Sequence, residues 1–297
     1  MLDPKGPLAA ALRFLAYPLL LLLAVGPVAH AITAGLPLER LLPLVFAGVI
    51  GATVLLERLI PYEPRWQPTR RELARDGGYL LIGLVFGGLA QLVAGTLALV
   101  LATGDNGLPL WLAAPLALVL ADLGTYAFHR RVHRGGFWWK EHGIHHVPTK
   151  VNVLNANTTH FLDVTFNTLA AMTPLVLLGF SVEAVFIVNV ARVLHNYVSH
   201  ANADLRLGWL GHLLMGPEHH RLHHGVAPED AGNYATVVTL WDRVFGTFTW
   251  APGRRPAAVG VSEPEAFPDP QRILPNLAHP FRSARRALAP SREAATR

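Results

Sequence analysis

Four long apolar stretches in the first half of the chain constrain its fold more than any other feature. They cover residues 14–34, 41–56, 78–103 and 108–128. Each is close to the 17 to 25 residues of a bilayer-spanning helix, although the second is short unless it continues past Glu57 and Arg58. Only 15% of the 297 residues are charged, against about 25% in soluble domains, and the mean hydropathy is +0.33. We therefore expect an integral membrane protein, with the first stretch an uncleaved helix rather than a signal peptide.

A second apolar region, residues 161–194, is interrupted by Pro174 and Gly179 and contains several polar residues. It predicts two half-buried helices, re-entrant or interfacial, with Ser181 capping the second. The predicted fold is thus all-α, with about four transmembrane helices, these extra helices and a cytoplasmic histidine-rich helical cap. We divide the chain into transmembrane helices (1–128), a histidine-rich catalytic region (129–250) and a loosely ordered Pro/Ala/Arg-rich cytoplasmic tail (251–297).

Basic residues predict the orientation in the membrane. They are concentrated after the second and fourth stretches and are absent from residues 104–107, between the third and fourth. Because cytoplasmic loops carry the excess of Lys and Arg, both termini and the histidines are expected in the cytoplasm. The net charge of +5 is not concentrated on a soluble face, which argues against a nucleic-acid partner.

The histidines are the main functional signal. All but His30 and His279 of the 15 lie between positions 129 and 224, and four clusters have helical or near-helical spacing. Isolated histidines are usually incidental, but repeated clusters of this density are typical of a polynuclear metal site. The clusters comprise His129 and His133; His142, His145 and His146; His195 and His200; and His220, His223 and His224.

The chemistry of these ligands limits the choice of metal. The chain has no cysteine, which excludes thiolate zinc sites, iron–sulfur clusters and a Cys nucleophile. Nine or more histidines exceed the four ligands of a structural zinc ion and indicate two metals with open positions. Two iron ions beside a lipid cavity suit the activation of dioxygen, and zinc, in a hydrolase or by substitution, is the alternative.

The quoted clusters resemble the fatty acid hydroxylase/sterol desaturase superfamily. The resemblance covers residues 122–248 and includes the stretches 200–202, 217–224, 233–234 and 241–247. It implies a di-iron centre, O2, and electrons from NAD(P)H through a separate cytochrome b5, ferredoxin or reductase. It also implies nine ligands, His129, His133, His142, His145, His146, His200, His220, His223 and His224, with His195 a tenth.

One element departs from the family pattern. Where many bacterial members have Arg-x-His-Pro-x-Glu, this chain keeps His160 and an acid, Asp163, but lacks the Arg and the Pro. We name His160 and Asp122 as candidate catalytic residues, Asp122 because a carboxylate within a span needs a partner and lies on the face of His129. His219 is expected to be a bystander, and Asp242 to pair with an Arg at a helix end.

The predicted function is membrane-bound hydroxylation of an aliphatic C–H in a lipid. Fatty acyl chains, sterols or hopanoids, carotenoids and aminolipids are the candidate substrates. Desaturation on the same site is one alternative, and a zinc-dependent membrane hydrolase or a non-catalytic metal-binding protein is another.

Overall fold

The computed structural model describes residues 1–101 and 106–288. Its first four helices are α1 (Pro7–Thr33), α2 (Leu38–Leu59), α3 (Arg70–Leu101) and α4 (Leu110–Val132). All four are long and apolar enough to cross a membrane. The predicted end of the third stretch at residue 103, and Asp105 in the loop after it, lie outside the described residues.

The outer faces of these helices are apolar. Leu22, Leu44, Leu81 and Leu92 are each at least 65% exposed, as expected of side chains that face lipid. Prolines within α1, α2 and α4 do not interrupt the helices. The all-α membrane fold predicted from the sequence is confirmed.

The second span continues past Glu57 and Arg58, the alternative that the sequence left open, with Glu57 inside the helix. Its carboxylate is only 4% exposed and accepts hydrogen bonds from the backbone amides of Val153 and Asn202, at 2.7 and 2.8 Å. A buried carboxylate with such donors is stabilised, so α2 continues to Leu59.

Six further helices complete the described fold. They are α5 (Gly136–His146), α6 (Phe161–Leu177), α7 (Val182–Ser199), α8 (Pro217–His223), α9 (Leu240–Val244) and α10 (Ile273–Leu288). Helix α6 packs on α3 and α4, whereas α7 packs on α1 and α4, so both line the interior of the bundle. Neither α6 nor α7 is among the four candidate spans.

The break between α6 and α7 lies at Gly179, one of the two predicted interruptions, and not at Pro174. Helix α6 continues through Pro174 and ends only at Leu177. The turn is made by Gly179, whose φ of 67° lies in the left-handed region that glycine adopts without strain. Ser181 caps α7 as predicted, since its hydroxyl accepts a hydrogen bond from the amide of Ala184.

The C-terminal segment contains more structure than its composition suggested. Residues 273–288 form α10, which packs on α5 and α3 instead of remaining loosely ordered. The carbonyl of Leu277 lies 3.0 Å from His160 Nε2, and the ring of Phe281 contacts that of Phe137. The last nine residues of the predicted tail, 289–297, lie outside the described part of the chain.

Candidate metal centre

Nine histidines from four chain segments converge at one end of the bundle. Two come from the end of α4, three from α5, one from the residue after α7 and three from α8 and the residue after it. They form two adjacent groups, and within each group the ligand nitrogens lie within 4.8 Å of one another. The five-histidine group contains His129, His133, His142, His146 and His223; the four-histidine group contains His145, His200, His220 and His224.

Helix geometry determines which histidines share a group. Pairs four residues apart stay together, as His142 and His146 do, and as His220 and His224 do. His145 follows His142 by three residues, a spacing that also favours one helix face, but His145 belongs to the other group. Neighbouring residues in a helix project about 100° apart, so a helix between the two groups can supply both. The rings of His146 and His224 stack at 4.3 Å where the groups meet.

Carbonyl oxygens fix the tautomers of three of these imidazoles. The Nδ1 atoms of His129, His223 and His145 lie 2.7, 2.8 and 3.2 Å from the carbonyls of Tyr234, Gly232 and Thr158. A carbonyl only accepts hydrogen bonds, so each Nδ1 carries the proton and each Nε2 presents a lone pair.

Two further imidazoles are oriented by side chains. His142 Nδ1 lies 3.0 Å from Asp163 Oδ2, and His200 Nδ1 lies 3.3 Å from Asn155 Oδ1. That Asn155 oxygen also accepts from the amide of Asn152, which supports its assignment as oxygen. His142 and His200 therefore also direct their Nε2 lone pairs towards the groups.

The resulting arrangement of lone pairs fits metal ions. Nε2 of His129 faces Nε2 of His142 at 3.1 Å, and Nε2 of His145 faces that of His200 at 3.1 Å. Two unprotonated nitrogens at this distance repel unless a cation lies between or beside them. In the five-histidine group, Nε2 of His133 and of His223 are buried without any hydrogen-bond partner in the described chain. An all-imidazole set of this kind suits iron, zinc or copper.

Burial keeps the ligands in the neutral form that binds metals. It lowers the pKa of His145 to about 4, with the neighbouring imidazole of His142 acting in the same direction. Burial likewise lowers, well below the ordinary range, the pKa values of His133, His146, His200, His220, His223 and His224. At neutral pH these imidazoles are unprotonated without help from a metal.

Three residues named from the sequence lie outside both groups. His195 is buried against the ring of Tyr17, and neither of its nitrogens makes a hydrogen bond of good geometry. His160 caps α6: its Nδ1 accepts from the amide of Leu162, so its Nε2–H donates to the Leu277 carbonyl. With both nitrogens engaged, His160 has no lone pair to offer a metal.

Asp122, the third, acts on a loop instead of contacting His129. It accepts four hydrogen bonds of 2.7 to 3.0 Å from the hydroxyl and amide of Thr236 and the amides of Val237 and Val238. The same loop contains Tyr234, whose carbonyl orients His129. Asp122 therefore supports that ligand through the backbone.

Asp242 holds the other end of this loop. Its carboxylate accepts hydrogen bonds from the amides of Tyr234 and Ala235, each at 2.8 Å, and from the Thr247 hydroxyl. The prediction that Asp242 pairs with an Arg is wrong, because backbone amides and the Thr247 hydroxyl donate its hydrogen bonds instead. His219 lies outside both groups, stacked on Trp250.

Asp163 is the site residue that sequence reasoning left out of the candidate list. The sequence contained a signal for Asp163, because His160 and Asp163 are the two residues that this chain keeps in the element that departs from the family pattern. Both residues lie in the first turn of α6 or just before it, but only Asp163 reaches a ligand, His142.

A cavity of about 490 Å³ opens onto both histidine groups. His129 and His142 line it from one group, and His145 and His220 from the other. Apolar side chains of α2 and α3, including Leu42, Phe46, Leu80 and Leu84, also line it. A cavity with a largely apolar lining thus adjoins the two candidate metal-binding groups.

These features define a class: helical membrane proteins with two adjacent histidine groups, able to hold metal ions, beside a largely apolar cavity. Comparison with known proteins identifies the family. Residues 114–247 match the family model "Fatty acid hydroxylase". The chain thus contains a fatty acid hydroxylase domain, and the proteins to which it is similar are lipid hydroxylases and monooxygenases of the fatty acid hydroxylase/sterol desaturase superfamily; it is an oxidoreductase of this type.

Several relatives support this assignment. Ornithine lipid hydroxylase OlsE of Rhizobium tropici is 29% identical over 252 residues, covering 80% of this chain and 74% of that protein. Alkylglycerol monooxygenase of Danio rerio is 34% identical over 50% of this chain but only 33% of its own length. Methylsterol monooxygenase 1 of Rattus norvegicus is 29% identical over 43% of this chain and 44% of its own length. No solved structure matches the chain.

Proposed function

We propose that the protein is a di-iron monooxygenase that hydroxylates an aliphatic C–H of a membrane lipid, using O2 and electrons from a separate NAD(P)H-linked donor. The observation that carries the proposal is the opening of both histidine groups onto one cavity with an apolar wall. A structural metal site would need neither a second group nor access to such a cavity.

Each histidine group would hold one iron ion. The five ligands from α4, α5 and α8 bind one ion, and the four from α5, α8 and the end of α7 bind the other. Bound iron supplies the activation of O2 needed to attack an unactivated C–H bond, which no amino-acid side chain provides. The nine ligand assignments are part of this proposal, as is the exclusion of His195 and His160 from the ligand set.

The polypeptide contributes orientation and the exclusion of water. Asp163 and the carbonyls of Tyr234, Thr158 and Gly232 hold the ligand rings, so that their Nε2 atoms need no rearrangement to bind. Apolar side chains such as Leu42 and Phe46 would pack against a lipid chain and fix one carbon near the metals.

The substrate is a lipid that reaches the cavity from the bilayer. Because α2 and α3 are candidate spans and both line the cavity, an acyl chain in the bilayer has a short route to it. Among fatty acyl, sterol or hopanoid, carotenoid and aminolipid substrates, the similarity to an ornithine lipid hydroxylase over most of both chains favours an aminolipid.

The histidine site and both termini face the cytoplasm in this proposal. The supporting observations are the arginines after α2 and α4 and the cytoplasmic origin of NAD(P)H. The electron donor is a separate cytochrome b5, ferredoxin or reductase.

Desaturation at the same site is the alternative within the family, since it requires the same metals and the same cavity. The family assignment makes the protein an oxidoreductase, so the zinc hydrolase and the non-catalytic metal-binding protein considered from the sequence are not retained.

Comparison of lipid extracts from cells with and without the gene tests the proposal. A lipid heavier by about 16 mass units, labelled when cells grow under ¹⁸O2, is the expected result. A product lighter by about 2 mass units would establish desaturation. The absence of any O2-dependent lipid change, with iron-loaded protein present and reductant supplied, would refute both reactions.

A further inference from the structure

Arg192 on α7 is a cation in the lipid cavity that the proposed chemistry does not use. It lines the cavity together with Asn189 and Asn196. Spacings of three and four residues place these polar side chains on one face of an otherwise apolar helix. A polar stripe directed into a cavity within the bundle is expensive unless it has a polar partner.

The Arg192 guanidinium is held in place by hydrogen bonds but makes no ion pair with a described residue. Its Nη2 donates hydrogen bonds to Thr125 Oγ1 at 2.6 Å and to Asn167 Oδ1 at 3.2 Å. Nε is buried without a partner, and none of the ion pairs among the described residues includes Arg192. The carboxylate of Asp122 acts on Arg192 electrostatically, but its oxygens accept hydrogen bonds from the loop at Thr236, and that of Asp163 binds His142.

The hydrogen bond to Thr125 places Arg192 near one of the proposed metal ligands. Thr125, its hydrogen-bond partner, precedes the ligand His129 by one turn of α4, a rise of about 6 Å. His129 and Arg192 line the same cavity. A group bound to the guanidinium would therefore occupy the same cavity as His129, about one helical turn away along α4.

We propose that Arg192 binds an oxyanion of the lipid substrate, a carboxylate or a phosphate, and thereby directs oxidation to carbons near the acidic end of that lipid. An oxyanion would supply a counter-charge in direct contact and would accept hydrogen bonds from the remaining guanidinium N–H groups, in the bidentate geometry for which Arg is suited. Asn189 and Asn196 offer amide donors beside it. The inference rests on the proposed function only for the site of oxidation; the anion site itself stands independently.

Binding to the metal-loaded full chain in neutral detergent tests the site without turnover. Matched sixteen-carbon probes are hexadecanoate and N-hexadecanoylglycine for a carboxylate, hexadecyl phosphate for a phosphate, and hexadecanol and methyl hexadecanoate as neutral controls. We expect at least one acidic probe to bind about tenfold or more tightly than the neutral ones. The preferred acidic probe then identifies the headgroup chemistry.

Variants of Arg192 test whether the preference for acidic probes depends on its guanidinium group. Arg192→Gln should remove the preference for the acidic probes and leave the affinity for hexadecanol unchanged, whereas Arg192→Lys should retain part of it. Arg131→Gln, which removes an exposed charge from the end of α4, is the matched control and should retain all of it. Equal affinity of the wild type for acidic and neutral probes, or a preference that survives in Arg192→Gln, would overturn the proposal. If Arg192→Gln fails to fold, the wild-type comparison still decides.

Turnover separates this inference from the proposed function. With O2 and reductant, the preferred probe should be hydroxylated near its acidic end, and hydroxylation at the methyl end would refute the directing role. Selective binding of acidic probes without any O2-dependent product would leave the anion site intact and refute the monooxygenase proposal instead.

Discussion

Replacing Asp163 should weaken one metal position and leave the other nearly unchanged. Its carboxylate lies 3.0 Å from His142 Nδ1, and the two side chains are 8% and 5% exposed. A buried charge-assisted hydrogen bond contributes about 1.5–3 kcal/mol, and a neutral one about 1 kcal/mol. Asp163→Asn should therefore raise the dissociation constant of the metal in the five-histidine group about tenfold, and Asp163→Leu about 100-fold.

Chelator competition followed by elemental analysis measures this effect. Wild-type protein should retain two metals per chain at a chelator concentration that removes one metal from Asp163→Leu. Asp269→Asn, which changes an exposed acid paired with Arg71, is the control and should behave as the wild type. Equal metal retention by all four proteins would refute the argument that Asp163 supports His142, and simultaneous loss of both metals would refute the separation into two groups.

Further predictions concern the ligands, pH and topology. His145→Ala and His223→Ala should each abolish turnover and lower the metal content measured by elemental analysis, whereas His279→Ala should do neither; substantial activity of His223→Ala with its metal intact would contradict the assignment. The pKa of His145 falls from 6.5 when unfolded to about 4 when folded, so as pH drops below 6.5 the unfolded state takes up protons first. Thermal stability of metal-free protein should thus decrease between pH 6.5 and about 4, and an unchanged melting temperature over that range would contradict a neutral buried site. Reporters near Arg70 and at the C-terminus should be cytoplasmic and one at Asp105 external, and a C-terminus accessible from outside intact cells would refute the orientation.

The local periodicity of the sequence was sufficient to predict the helices, but not how their histidines divide between the two groups. Length and hydropathy located all four candidate spans, and the four clusters predicted from spacing contain the nine histidines that the structure gathers, together with His195, which it does not. The distribution between groups was not available from spacing, because His145 and His146 are adjacent in sequence yet belong to different groups. That division depends on the rotation of α5 about its own axis, which packing determines.

Hydrogen bonds by which main-chain carbonyls orient the histidines also cannot be predicted from a sequence. The Tyr234 carbonyl orients His129 only because Asp122 and Asp242 bind the amides around it. The type of a residue does not reveal what its main-chain oxygen will contact. Asp122 was recognised as important from its unfavourable location, but its action through a loop required three-dimensional information.

The distribution of ligands along the chain has a consequence for biogenesis. The five-histidine group requires His129 from α4 and His223 from α8, which are synthesised and inserted well before and well after the intervening α6 and α7. Neither group can be completed until α8 has left the ribosome, so iron bound as proposed would act last, as a cross-link that closes a long loop of the chain. Cells starved of iron should therefore accumulate a fully inserted precursor in which proteases cut the chain around α8 more readily, and supplying iron after synthesis should protect it.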